Sequence, residues 1–125
     1  MPQSDLILVG TGSGNAVVGP EFDSWNIAIV EAGLCGGTCL NVGCIPSKAL
    51  LDSSEHFDNA RHSFAAHGIR AEVSLDLPTM LARKDGVVKE LTRGVAGRFK
   101  KNKIDRLHGP ARIVAAGTGE TRPRT

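Results

Sequence analysis

Tyrosine is absent from this chain, and its aromatic rings reduce to four phenylalanines and one tryptophan in 125 residues. So few rings offer no platform on which a series of bases could stack. An excess of one charge is also missing: fifteen Lys and Arg against thirteen Asp and Glu leave a net +2, and the pI lies near 8.6. That balance is too mild to imply a nucleic-acid partner. The local basic group Arg98, Lys100, Lys101, Lys103 and Arg106 falls where a helix is expected to end, and cations complement a helix dipole there. No apolar run approaches the roughly 20 residues of a membrane span, and no basic segment precedes an apolar one at the N-terminus. Neither membrane insertion nor secretion is expected, and the cytoplasm is the expected location. Internal repeats and low-complexity tracts are lacking too.

What remains is one domain's length of chain, rich in glycine and carrying three cysteines, Cys35, Cys39 and Cys44. The last two lie in the run Gly36-Gly37-Thr38-Cys39-Leu40-Asn41-Val42-Gly43-Cys44-Ile45-Pro46-Ser47-Lys48. Four residues separate them, so a helical turn could close a small disulfide ring, and Pro46 suits the first turn of a following helix. Cys44 then falls at or just before that first turn, where free N–H groups and the dipole favour a thiolate. A structural disulfide or two buried thiols are the other readings. Cys35 leaves the count odd and is read as a small buried hydrophobe rather than a third reactive thiol.

Upstream, Asp5 to Val9 reads as a buried parallel strand running straight into Gly10-Thr11-Gly12-Ser13-Gly14-Asn15. A strand, a glycine turn and a helix start form a dinucleotide-binding order: Gly10 permits the tight turn and Gly12 lets backbone approach a pyrophosphate. The third glycine of the fingerprint would fall at position 15, where Asn15 stands beside Gly14. Gly19 and Pro20 keep the intervening helix short, ending before Pro20, with 21–24 as a loop. Asn26 to Val30 is the second strand, and Glu31 follows it, 21 residues beyond Gly10, where an acid would bind ribose hydroxyls. Positions 32–38 hold too many glycines for helix or strand, and this loop is expected to wrap the nucleotide, with Gly36, Gly37 and Thr38 near its phosphates.

The cysteine run resembles, almost unbroken, the signature of the class I pyridine nucleotide disulfide oxidoreductases, flavoproteins that include dihydrolipoamide, glutathione, mercuric and mycothione enzymes. The resemblance covers residues 4 to 114. It implies an α/β, Rossmann-like FAD-binding domain, with residues 1–125 as its N-terminal part and the NAD(P)-binding, central and dimerisation domains absent. It further implies that Cys39 exchanges with substrate, that Cys44 lies against the flavin as a charge-transfer thiolate, and that Lys48 contacts the flavin near N5. FAD would be held by Gly10, Gly12, Gly14, Glu31, Gly36, Gly37 and Thr38, with Ala111 at the adenine, and NAD would be the second cofactor. Segments 49–54 and 91–103 resemble dihydrolipoamide dehydrogenases, whereas Gly10 to Asn15 is more similar to mycothione reductase. The implied partners are a disulfide or dithiol substrate, the lipoyl group of a 2-oxo acid dehydrogenase complex first among them, and a second copy of the complete protein. A fragment of this length would not turn over alone. A non-catalytic nucleotide-binding module and a thiol-based metal or redox sensor are the competing classes.

Two long helices are expected in the second half. Leu50, Phe57, Ala60 and Phe64 predict a helix from Ile45 to His67 closed by Gly68, carrying Lys48 one turn beyond Cys44. His56, His62 and His67 lie on differing faces, so no metal site is expected. Asp76 as N-cap and Pro78 open a second helix whose stripe Leu77, Met80, Leu81, Val87, Val88, Leu91, Val95 and Phe99 reads as core, ending at Asn102. Strands at 104–107 and 109–114 follow, His108 is read as a surface residue, and 117–125 is expected to fray.

Overall fold

A computed structural model describes residues 2–122. Its centre is a three-stranded parallel sheet in which β2 (Ile27–Glu31) lies between β1 (Leu6–Val9) and β3 (Asp105–His108). Leu6 pairs with Ile27 and Val9 with Val30 on one side; Ala28 pairs with Asp105 and Glu31 with His108 on the other. Flanked on both edges, Ile27, Ala28, Ile29 and Val30 are all buried, which suits a continuous apolar run. β1 departs from the expectation of a buried strand. Leu8 packs on the core formed by Ile29, Cys35 and Phe99, while Ile7 and Val9, on the opposite face, are 46% and 63% exposed.

Between these strands the expected short helix is a five-residue 3-10 turn, Ser13–Val17, and a second 3-10 turn, Pro20–Phe22, replaces the expected loop. Pro20 opens that second turn, where its missing N–H costs nothing. After β2 come α1 (Gly37–Val42) and α2 (Cys44–Asp58). The helix over Gly37 and Thr38 corrects the reading of 32–38 as loop throughout. Gly36 (φ +107°) and Gly37 (φ +69°) take backbone conformations that side chains resist, and so turn the chain into α1. α2 continues through a π-type turn, Asn59–Ser63, and a 3-10 turn, Phe64–His67, to Gly68 at φ +73°, the expected end point.

α3 (Leu77–Lys101) begins as its sequence demands: Asp76 accepts hydrogen bonds from Thr79 N (3.2 Å) and Thr79 Oγ1 (2.6 Å). Only its last turns reach the core, through Val95, Ala96 and Phe99. Leu77, Leu81 and Leu91 are exposed, so the stripe is core packing over part of its length only. Arg83 ties α3 to α2 by bonding Ala49 O (3.3 Å) and Asp52 Oδ2 (2.9 Å). The chain closes with a hairpin of β4 (Ala111–Ala115) and β5 (Thr118–Thr121), turned by Gly117 at φ +67°. β5 corrects the expectation that this segment frays; residues 123–125, included in that expectation, lie outside the described residues. The architecture is α/β and Rossmann-like, as expected.

Candidate active site

Cys39, inside α1, and Cys44, the first residue of α2, are joined by a disulfide with their Cα atoms 4.7 Å apart. Gly43 makes that approach possible. A Cβ there would lie 3.1 Å from Thr38 O and 3.2 Å from the Cys39 Cα, tighter than ordinary contact, so a side chain would press the two helices apart. Both cysteines are exposed. Cys44 occupies the N-terminal turn of a fifteen-residue helix, with Ser47 N donating back to Gly43 O at 3.1 Å. A thiolate released there would face free N–H groups and the positive end of the dipole. Lys48 follows one turn later, also exposed.

Asn41 fixes the orientation of α1. Its amide donates to Cys35 O (3.0 Å) and Gly37 O (2.9 Å), and its carbonyl accepts from Thr92 Oγ1 of α3 (3.2 Å). Its place inside the cysteine run gave no sign of this role in the sequence.

Thr11 organises the second half of the site, and its loop sequence carries no sign of this either. It is fully buried. Its N–H and hydroxyl donate to Glu31 Oε2 at 2.9 and 2.6 Å, and its hydroxyl oxygen accepts from Gly36 N at 2.9 Å. The other oxygen, Glu31 Oε1, accepts from Gly33 N at 2.8 Å. Burial alone would raise the Glu31 carboxyl, but the Thr11 hydroxyl and the amides of Gly33, Thr11 and Ala32 outweigh it and hold the group below its ordinary value. Gly10, Gly12, Glu31, Gly36 and Gly37 are thereby gathered: a Cβ on Gly37 would lie 2.6 Å from the Gly12 Cα, so the two glycine loops touch backbone to backbone.

Asn15 occupies the third-glycine position and folds inward, donating to Thr11 O at 2.9 Å and to Gly12 O. A five-residue 3-10 turn has little macrodipole, so a phosphate here would meet loop amides rather than the end of a long helix. Cβ atoms built on Gly10 and Gly14 meet nothing within 4 Å, and Thr38 is exposed at the start of α1. Open backbone over the loop, beside an oriented carboxylate and an exposed sulfur pair, fits a dinucleotide carrying a planar redox ring. Ala111 lies at the start of β4 in register with Thr121, two residues past Gly109, whose N–H donates to Glu31 O at 2.9 Å. Gly109 is bare for a packing reason, since a Cβ there would fall 2.5 Å from Arg122 O. Cys35 is 2% exposed within the Ile29–Phe99 core, as expected of a small hydrophobe. Among the described residues no group of three or more His, Cys, Asp or Glu side chains converges on one point.

A disulfide joining a short helix to the start of a longer one, set beside a strand, glycine loop and strand, defines a class, and the pyridine nucleotide-disulphide oxidoreductase family model matches residues 4–123. The chain belongs to that family. It is 47% identical over 117 residues to dihydrolipoyl dehydrogenase 1, mitochondrial, of Arabidopsis thaliana, a match covering 90% of this chain and 23% of the relative. Leghemoglobin reductase of Vigna unguiculata is 44% identical over 117 residues (90% and 22%). Dihydrolipoyl dehydrogenase of Cupriavidus necator is 40% identical over 124 residues (90% and 26%). The chain therefore spans about a quarter of the length of the relatives it matches.

Proposed function

We propose that the complete protein is an FAD-dependent disulfide oxidoreductase that oxidises a dihydrolipoyl group and reduces NAD+, with Cys39–Cys44 as its redox pair. The observation carrying this reading is the exposed disulfide at the start of α2, joined through α1 to the glycine loops and Glu31. A substrate thiolate attacks Cys39 Sγ; the Cys39–Cys44 bond breaks, and Cys44 leaves as a thiolate stabilised by the N-terminal turn of α2. The second substrate thiol, losing its proton, attacks the substrate sulfur of the mixed disulfide and expels Cys39. The substrate dithiol has then become a cyclic disulfide, and the two cysteines hold its two electrons. FAD would supply a two-electron acceptor for the dithiol, whose loss of its two electrons returns the cysteines to the disulfide, with NAD+ as the final acceptor.

Gly12, Gly14 and Gly37 would offer amides and Thr38 its hydroxyl to the pyrophosphate, while Gly10 and Gly36, whose own amides bond Val30 O and Thr11 Oγ1, would shape the turns around it; Glu31 would accept from the ribose, Ala111 would border the adenine and Lys48 the flavin ring. A homodimer and docking to a lipoyl-bearing complex belong to the same proposal. Asn15 and its short turn favour a second reading, a reductase of a low-molecular-weight disulfide such as mycothione. Purified full-length protein tests both. NADH formation from dihydrolipoamide and NAD+ by a yellow protein is the expected result, NADPH-driven reduction of mycothiol disulfide would favour the second reading, and a colourless protein inert to both would overturn the two together.

A further inference from the structure

Thr11 is the buried polar side chain among the described residues, and its hydroxyl is used twice. Toward β2 it donates to Glu31 Oε2 at 2.6 Å; toward α1 it accepts from Gly36 N at 2.9 Å. Gly36 is the residue from which α1 departs, and α1 carries Cys39. With the Thr11 amide on the same Oε2 and Gly33 N on Oε1, the Glu31 carboxylate accepts hydrogen bonds at both of its oxygens. The hydrogen bonds of Asn41 to Cys35 O and Gly37 O complete the hold on the entry to α1. A buried hydroxyl so placed does more than occupy space, because removing it strips a donor from a carboxylate and leaves the Gly36 amide without its acceptor.

We propose that Thr11 is a positioning residue joining the two ends of the cofactor site: its hydroxyl sets the direction of the Glu31 carboxylate and anchors the start of the helix bearing Cys39. This rests on the reading of the strand-loop-strand unit as the grip on the adenosine end of FAD. Replacing Thr11 therefore disturbs nucleotide affinity and the placement of the disulfide together, although it touches neither Cys39 nor Cys44.

The test compares Thr11→Val, which keeps the volume and loses the hydroxyl, with Thr11→Ser, which keeps the hydroxyl and loses a methyl. In full-length protein, FAD affinity is read by titration of the apoprotein. The equilibrium between Cys39–Cys44 and its dithiol is read against dithiothreitol buffers without flavin. Thr11→Val is expected to weaken FAD binding by about tenfold or more. It also lowers the equilibrium constant for closing the disulfide by about threefold, because a looser α1 lowers the effective concentration of one thiol at the other. Thr11→Ser restores both. A residue that only filled space would give the reverse order, with Val near wild type and Ser impaired, and that result overturns the proposal. Should Thr11→Val fail to fold, Thr11→Ala against Thr11→Ser decides: a large gap between them supports the hydroxyl, and equal impairment removes it. Wild-type protein that takes up no FAD would defeat the functional reading instead. The flavin-free disulfide equilibrium then upholds or overturns the link from Thr11 to α1 by itself.

Discussion

Cys35 and the Cys39–Cys44 pair stand within ten residues of one another, yet the protein treats their sulfurs in opposite ways. Cys35 is sealed between β2 and the end of α3, and burial pushes its thiol up, with Glu31 adding to the rise and Arg106 and Thr11 opposing it. Cys39 and Cys44 sit on two short-coupled helix ends, bonded and open to solvent. Nothing in the side chain distinguishes them. The difference lies in which element follows: a thiol at the first residue of a long helix can leave as an anion, whereas one facing Ile29 and Phe99 cannot.

The largest expected effect breaks the pair itself. Cys39→Ser or Cys44→Ser in full-length protein should abolish dithiol oxidation down to background, while Cys35→Ala should keep at least half of it; equal losses at all three positions would erase the distinction. A smaller effect concerns access. After reduction in native buffer, iodoacetamide should label Cys39 and Cys44 about 100-fold faster than Cys35, which becomes equally reactive only when denaturant opens the core, as peptide mass mapping would show. Rapid labelling of Cys35 in the folded protein would contradict its burial.

The smallest effect sharpens the comparison through Glu31, the carboxylate between the two environments. Because hydrogen bonds hold its folded pKa below the ordinary value, its contribution to stability is present above that ordinary value. It is lost as the pH falls through the lowered folded one. Denaturant melts from neutral to acid pH should show this fall in the wild type and a shallower one in Glu31→Gln; identical slopes would mean that the Thr11 hydrogen bonds do not bias the carboxylate.

Much of this was legible in the sequence, because the residues concerned act through local rules. Asp76 caps α3, Gly68 ends the helical stretch that begins with α2, and the cysteine spacing matches two helices meeting at Gly43. Features set by distant partners were not legible. Leu-Ile-Leu-Val and Ile-Ala-Ile-Val-Glu read alike, yet β2 is buried and half of β1 is exposed, since burial depends on what lies alongside. Thr11 resembles any loop threonine until Glu31 and Gly36, 20 and 25 residues away, close around it. The helix at Gly37 was hidden because two glycines ordinarily mark irregular chain, and here their left-handed conformations set the helix entry instead. Thr118–Thr121, read as turn residues, found a strand partner in β4.

The three hydrogen bonds of the Asn41 carboxamide reach a loop carbonyl, a helix carbonyl and a threonine on α3, and none involves sulfur. Severing the bond between Cys39 and Cys44 therefore takes away no part of that bracing. In the redox cycle proposed above, that platform would stay standing while the bond opens and reseals, and the sulfurs would meet again without the chain having to search for its shape.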